Sequence, residues 1–137
     1  MALLQITEPG LSREPHSRKI SVGIDLGTTN SIVAGVREGK AYALPDSHGN
    51  CLIPSVVNYS KKSILVGQSA LERSSKDAAN TITSVKRLMG RALTDPVIRE
   101  GKLPYEFLKQ SEAVPRIKTA RGLVTPTEVS SEIIKTL

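Results

Sequence analysis

The chain has 137 residues, 39% hydrophobic and 23% charged, with a net charge of +6; this is the size and balance of one globular domain, and no apolar run approaches the roughly 18–20 residues that cross a bilayer. The single cysteine, Cys51, excludes an internal disulfide, no Cys/His cluster has metal-ligand spacing, and residues 1–19 lack the apolar stretch of a secretory signal, so a reducing cytoplasm is expected. The positive charge raises nucleic acid as a ligand, but the cations are scattered, Phe107 is the one phenylalanine and tryptophan is absent, so neither nucleic acid nor membrane is expected as a partner.

Residues 1–18 are polar and aperiodic, with Pro9, Gly10 and Pro15, and read as a loose arm. Residues 19–66 read as short strands. Ile20, Val22, Ile24 and Leu26 alternate with Ser21, Gly23, Asp25 and Gly27, which predicts a strand with one aliphatic face against a core. Its other face carries two glycines and a carboxylate, and glycine inside a strand marks close approach by backbone or ligand. A turn at residues 27–30 leads to a returning strand at 32–36, and Gly39 and Lys40 turn the chain towards 41–44. Residues 55–59 and 64–66 flank a polar turn and predict a second hairpin. Residues 67–101 read as helical. Within them Ile82, Val85, Leu88 and Met89 fall at helical spacing, Asn80 or Thr81 can cap the start, and Gly90 can end it. Lys86 and Arg87 would project away from that stripe. Residues 102–137 return to short strands and then a helix, opened by a capping box at Thr125, Pro126 and Glu128 and striped by Val129, Ile133, Ile134 and Leu137.

The first turn has the chemistry of a phosphate site. Gly27 lets backbone come close, and the hydroxyls of Thr28 and Thr29 add donors to N–H groups that form an anion-binding concavity in a tight turn. Asp25, at the strand end, has the charge and place to hold a hydrated Mg²⁺ bridging phosphate oxygens. No GxxxxGK[ST] loop is present, so the phosphates would lie over a hairpin rather than at a helix start. An ordinary hairpin with a solvated Asp25 accounts for the same residues. Lys86 is a compact point charge suited to a polyphosphate and to orienting an attacking water. A solvated basic pair on an amphipathic helix accounts equally for Lys86 and Arg87.

The run GIDLGTTNS at residues 23–31 resembles the first phosphate-binding motif of the DnaK-type heat-shock chaperones, of which actin and the sugar kinases share a looser version. The run VKRLMGR at residues 85–91 resembles a second chaperone signature that the sugar kinases lack. Pro54-Ser55-Val56-Val57 and Val66-Gly67 lie between them in the order the family shows, and the resemblance covers about residues 19–137. It implies an α/β fold: part of an actin-like, ribonuclease-H-like ATPase lobe built of strand hairpins, plus a small peripheral α+β subdomain. It implies ATP and Mg²⁺ as cofactors. Asp25 would contact magnesium through water, Thr28, Thr29 and Asn30 would line the phosphates beside Gly27, and Lys86 would be the catalytic lysine.

The opening residues 1–6 with Glu8, Pro9 and Gly10, together with Leu103-Pro104-Tyr105 and Gly122-Leu123, resemble the branch of the family that serves iron–sulfur cluster assembly. That branch implies a J-domain co-chaperone and an iron–sulfur scaffold protein as partners. Family members supply a second phosphate loop, another magnesium-side carboxylate and the adenosine pocket from later sequence. Residues 19–137 are therefore expected to be an incomplete N-terminal part of a nucleotide-binding domain behind the arm at 1–18. The intact protein is expected to hydrolyse ATP, and this stretch alone is not. A general folding chaperone, an inactive remnant and a sugar-kinase-like enzyme are the alternatives, and VKRLMGR stands against the last.

Overall fold

The computed structural model describes residues 21–99, 101, 103–108 and 114–137. The arm expected at residues 1–18, and Ile20 of the first strand, lie outside the described residues. Three antiparallel sheets and a few short helices make up a mixed α/β architecture. Strands β1 (Val22–Asp25), β2 (Asn30–Arg37) and β3 (Lys40–Ala43) form a meander in which Asp25 faces Ile32 and Val36 faces Ala41. The short β4 (Ile53–Pro54) pairs with the first residues of β2, Asn30 and Ser31. A second sheet has the order β6-β5-β7, with β5 (Val56–Tyr59) between β6 (Ile64–Val66) and β7 (Thr81–Thr83). Strands β8 (Ile117–Thr119) and β9 (Gly122–Val124) form a hairpin. The helices are α1 (Gln68–Leu71), α2 (Pro96–Arg99) and α3 (Pro126–Thr136), with 3₁₀ turns at Ala78–Asn80 and Val85–Arg87.

One core joins these parts. Val57, Ile82, Val85, Ile117, Val129 and Ile133 are buried in it, drawn from β5, β7, the 3₁₀ turn, β8 and α3. Each such side chain contributes roughly 1.5–3 kcal/mol through removal from water. Helix α3 is set on the core by the expected capping box: the Thr125 hydroxyl accepts from the Glu128 N–H at 3.2 Å, and Glu128 Oε2 accepts from the Thr125 N–H at 2.7 Å. Its stripe turns Val129 and Ile133 inwards and leaves Ile134 exposed. The hairpin expected around residues 60–63 is present as β5 and β6.

Two expectations are corrected. The aliphatic face of the first strand does not go against a core as a whole: Val22 is 56% and Ile24 49% exposed, and Leu26 alone of the described set packs on the core. Alternation decides which side chains share a face but not whether a second layer covers it, and no described element covers Val22 and Ile24. The stretch 67–101 is helical only in short pieces, α1, α2 and two 3₁₀ turns, and Lys86 stands on a 3₁₀ turn rather than on an amphipathic α-helix. Thr81, Ile82 and Thr83 form β7, because β5 presents an edge beside them and β-branched residues suit a pleated surface. Ile82 and Val85 are both buried, as a helix would also bury them, but they arrive from a strand and a 3₁₀ turn.

Replacing Ile82 by alanine should lower unfolding free energy by about 2–5 kcal/mol, against less than about 0.5 kcal/mol for Ile134→Ala. Urea unfolding of the two variants, followed by circular dichroism, measures both.

Candidate functional site

Asp25 ends β1 with its carboxylate exposed and without a hydrogen bond or ion pair among the described residues. The turn after it is closed by Gly27. A Cβ there would overlap the backbone carbonyl oxygen of Asn30, so no other residue leaves the turn this tight. The N–H groups of Gly27, Thr28 and Thr29 and the side chains of Thr28, Thr29 and Asn30 make no hydrogen bond to another described residue outside strand pairing. The turn therefore presents a carboxylate beside a set of uncommitted donors. This donor set suits a phosphate chain carrying a magnesium ion: the donors take oxygens, and the carboxylate takes water on the metal. Asp25, Gly27, Thr28, Thr29 and Asn30 are thus brought together, as the spacing implies.

The turn is anchored from below. The Ser55 N–H donates to the Thr29 carbonyl at 2.8 Å, and the hydroxyls of Ser31 and Ser55 are 2.8 Å apart and buried. Leu26 packs on the same core as Val85. From Ser55 the chain enters β5, which pairs with β7, and β7 leads through Ser84 to Lys86. The phosphate turn and Lys86 are joined by hydrogen-bonded strands rather than by a loose loop.

Ser84 has φ 52° and ψ 31°, the left-handed conformation that non-glycine residues rarely adopt. It breaks the run of β7 and starts the 3₁₀ turn. Val85 and Leu88 then sink into the core at 1% and 2% exposure. Lys86 sits between them, exposed and without a partner among the described residues. Such a lysine keeps its three donors for an outside anion. Its neighbour Arg87 lines a different place, a cavity of about 490 Å³ shared with Thr83, Ser84, Leu88 and Tyr105. Tyr105 donates to the Thr83 carbonyl at 3.3 Å, and burial pushes its hydroxyl pKa up to about 12. Asn30 also borders a second groove of about 710 Å³, which runs past Asp46 and His48 to Gly67.

Residues 58, 77, 80 and 84 escape a reading by motif. Ser84 gives no sign of its backbone in its type, whereas the Asp-Ala-Ala-Asn-Thr run at 77–81 is a turn signal, because Asp and Asn bond their own backbone.

Comparison with known proteins gives the family. The family model described as Hsp70 protein matches residues 21–137. The chain belongs to the Hsp70 family. Among curated relatives, a chaperone protein HscA of Salmonella arizonae is 53% identical over 137 residues, which is 100% of this chain and 22% of that protein. A chaperone protein HscA homolog of Aliivibrio fischeri is 55% identical over 135 residues, 98% of this chain and 22% of that protein. The chain thus spans about a fifth of the length of these relatives.

The strained serine yields a prediction. Ser84→Val should cost about 1–3 kcal/mol, because a β-branched residue resists the left-handed region, while Ser84→Gly should stay within about 1 kcal/mol of the parent or gain stability. Paired thermal melts of the two variants decide it.

Proposed function

We propose that the protein is an ATP-dependent chaperone of the Hsp70 type, with residues 19–137 forming the N-terminal part of its ATPase domain. In this reading the first three strands belong to an actin-like, ribonuclease-H-like lobe, and the remainder forms a small peripheral subdomain beside it. The observation that carries the reading is the joining of two features on one strand framework: a tight turn from Asp25 to Asn30 with uncommitted donors, and Lys86, exposed and without a partner among the described residues.

Each residue then has a role. Asp25 would hold magnesium through water. Gly27, Thr28, Thr29 and Asn30 receive the phosphates, and magnesium, when bound, neutralises charge on the phosphate oxygens. Lys86 orients the attacking water and faces the charge that grows on the transferring phosphoryl group. The lysine stands on a turn plugged into the core on both sides, so its backbone needs little reorganisation as the reaction proceeds.

The likeness of residues 1–6 and 8–10 to the iron–sulfur branch of the family supports a role in iron–sulfur cluster assembly in the cytoplasm, and the relatives are chaperones named HscA. The partners would be a J-domain co-chaperone and a cluster scaffold protein. A general folding chaperone is the competing role. Capture by the full-length protein separates them: a scaffold protein among the bound species supports the first, and many unfolded clients without a scaffold support the second.

Two substitutions in the full-length protein test the chemistry. Lys86→Ala should slow single-turnover ATP hydrolysis by roughly 10²-fold or more while changing nucleotide affinity much less. Hydrolysis at the parental rate would remove the lysine from the mechanism. Gly27→Ala should act the other way round, weakening MgATP binding in a calorimetric titration, because the added methyl forces the Asn30 carbonyl out of the turn; its stability cost should be about 1–3 kcal/mol.

A further inference from the structure

We infer that the Asp77 carboxylate, acting with Asn58 and Asn80, is the positioning group that fixes where Lys86 stands. This rests on the reading of Lys86 given above. Strand β7, which delivers Lys86, is three residues long and has one hydrogen-bonded neighbour, β5. A strand that short is weakly held by its ladder alone. Its first residue, Thr81, is instead the focus of a polar network.

Asn58 lies opposite Thr81 on β5 and is fully buried. Both of its amide protons are used: Nδ2 donates to Thr81 Oγ1 at 2.9 Å and to Asp77 Oδ2 at 3.1 Å. Asp77 Oδ1 accepts from Asn80 Nδ2 at 2.6 Å, and the Asp77 carbonyl accepts from the Thr81 hydroxyl at 2.7 Å. Asn80 Oδ1 in turn accepts from the Ala120 N–H at 2.6 Å, which reaches the β8–β9 turn. Two separate segments, β5 and the β8–β9 turn, are thereby tied to the turn that opens β7. The hydrogen bonds from Asn80 and Asn58 hold the Asp77 carboxyl below the usual carboxylate range, so the acceptor stays charged at neutral pH.

The network's chemistry points to geometry rather than to bulk stability. An apolar pair at 58 and 81 would stabilise the two strands about as well, since replacing both polar partners by apolar groups of the same shape can be close to neutral. Asn58 even keeps one buried atom, Oδ1, without a partner. What a directional network adds is a single arrangement of the strand. Beyond β7 the chain has little freedom left: Tyr105 holds the Thr83 carbonyl, Ser84 turns left-handed, and Val85 is buried. These anchors follow Thr81 in the chain and the Asp77 network precedes them, so Lys86 is held from both sides; with the network released it can shift, and a catalytic group misplaced by about 1 Å can lose on the order of 10²-fold in rate.

A double-mutant cycle in the full-length protein tests this. Asp77→Ala should slow single-turnover ATP hydrolysis roughly 10-fold or more, with nucleotide affinity held within about 3-fold. In a Lys86→Ala background the same change should alter the residual rate less than about 2-fold, because no lysine remains to be misplaced. Asp77→Asn, which keeps the shape and one acceptor but sets an amide donor against Asn58 or Asn80, should fall between the parent and Asp77→Ala. An equal loss in both backgrounds, or no loss in the parent, overturns the inference and leaves the role of Lys86 standing. If Lys86→Ala alone keeps the parental rate, the reading of Lys86 fails first and the positioning role falls with it. Should Asp77→Ala not fold by circular dichroism, Asn80→Ala removes the next link of the network and carries the same comparison.

Discussion

The pairing of β5 with β7 is the constraint on which the rest depends. Every residue from Val56 to Tyr59 is buried, so this strand is covered on both faces and bonded on both edges. On one side it continues from Pro54 and Ser55, which hold the phosphate turn. On the other it sets the register of β7 and so of Lys86. Helix α3 and β8 complete the core around it through Val129, Ile133 and Ile117. The two halves of the candidate site never need to touch each other to be held at a fixed spacing. The strand between them does that.

Much of this was legible in the residues, and the reasons differ by element. The hairpin around 60–63 was legible because its two apolar runs are separated by Ser and Lys residues that cannot be buried without partners. The start of α3 was legible because a capping box is a local device, complete within four residues. The tight turn at residues 27–30 was legible because Gly27 has a steric reason to be glycine that is local to the turn. The stretch 81–88 was misread because helical spacing and a strand followed by a 3₁₀ turn both bury Ile82, Val85 and Leu88; Met89, the fourth residue of the expected stripe, is exposed. The decision lies with β5, more than twenty residues away, and with the backbone of Ser84. The exposure of Val22 and Ile24 was illegible for a related reason. Period tells which face is apolar, and only tertiary context tells what lies over it.

The glycines show how different the same residue type can be. Gly27 is required because the Asn30 carbonyl occupies the space of a side chain. Gly35, in the middle of β2, lies under the ring of Tyr42, whose nearest atoms would stand 3.2 Å from an added Cβ. The first serves the candidate site and the second serves the sheet. Acidic residues divide in the same way: Asp25 has no partner among the described residues, while Asp77 and Glu128 are committed to donors that hold their carboxyl groups below the usual range. For Glu128, whose largest cause is the Thr125 N–H, the helix cap is fully formed above the ordinary carboxylate pKa and is lost as the pH falls through the lowered one.

The sheet arrangement also orders events in time. Asp25 and Ile32 face each other across only seven residues, so the hairpin carrying the phosphate turn closes over a short loop. Asn58 and Thr81 are 23 residues apart and must meet before β7 exists. Loop-closure entropy makes the first contact early and the second late in a folding chain. A nascent copy would thus form the turn at residues 27–30 before Lys86 has a place to stand, and the two parts of the candidate site would arrive one after the other.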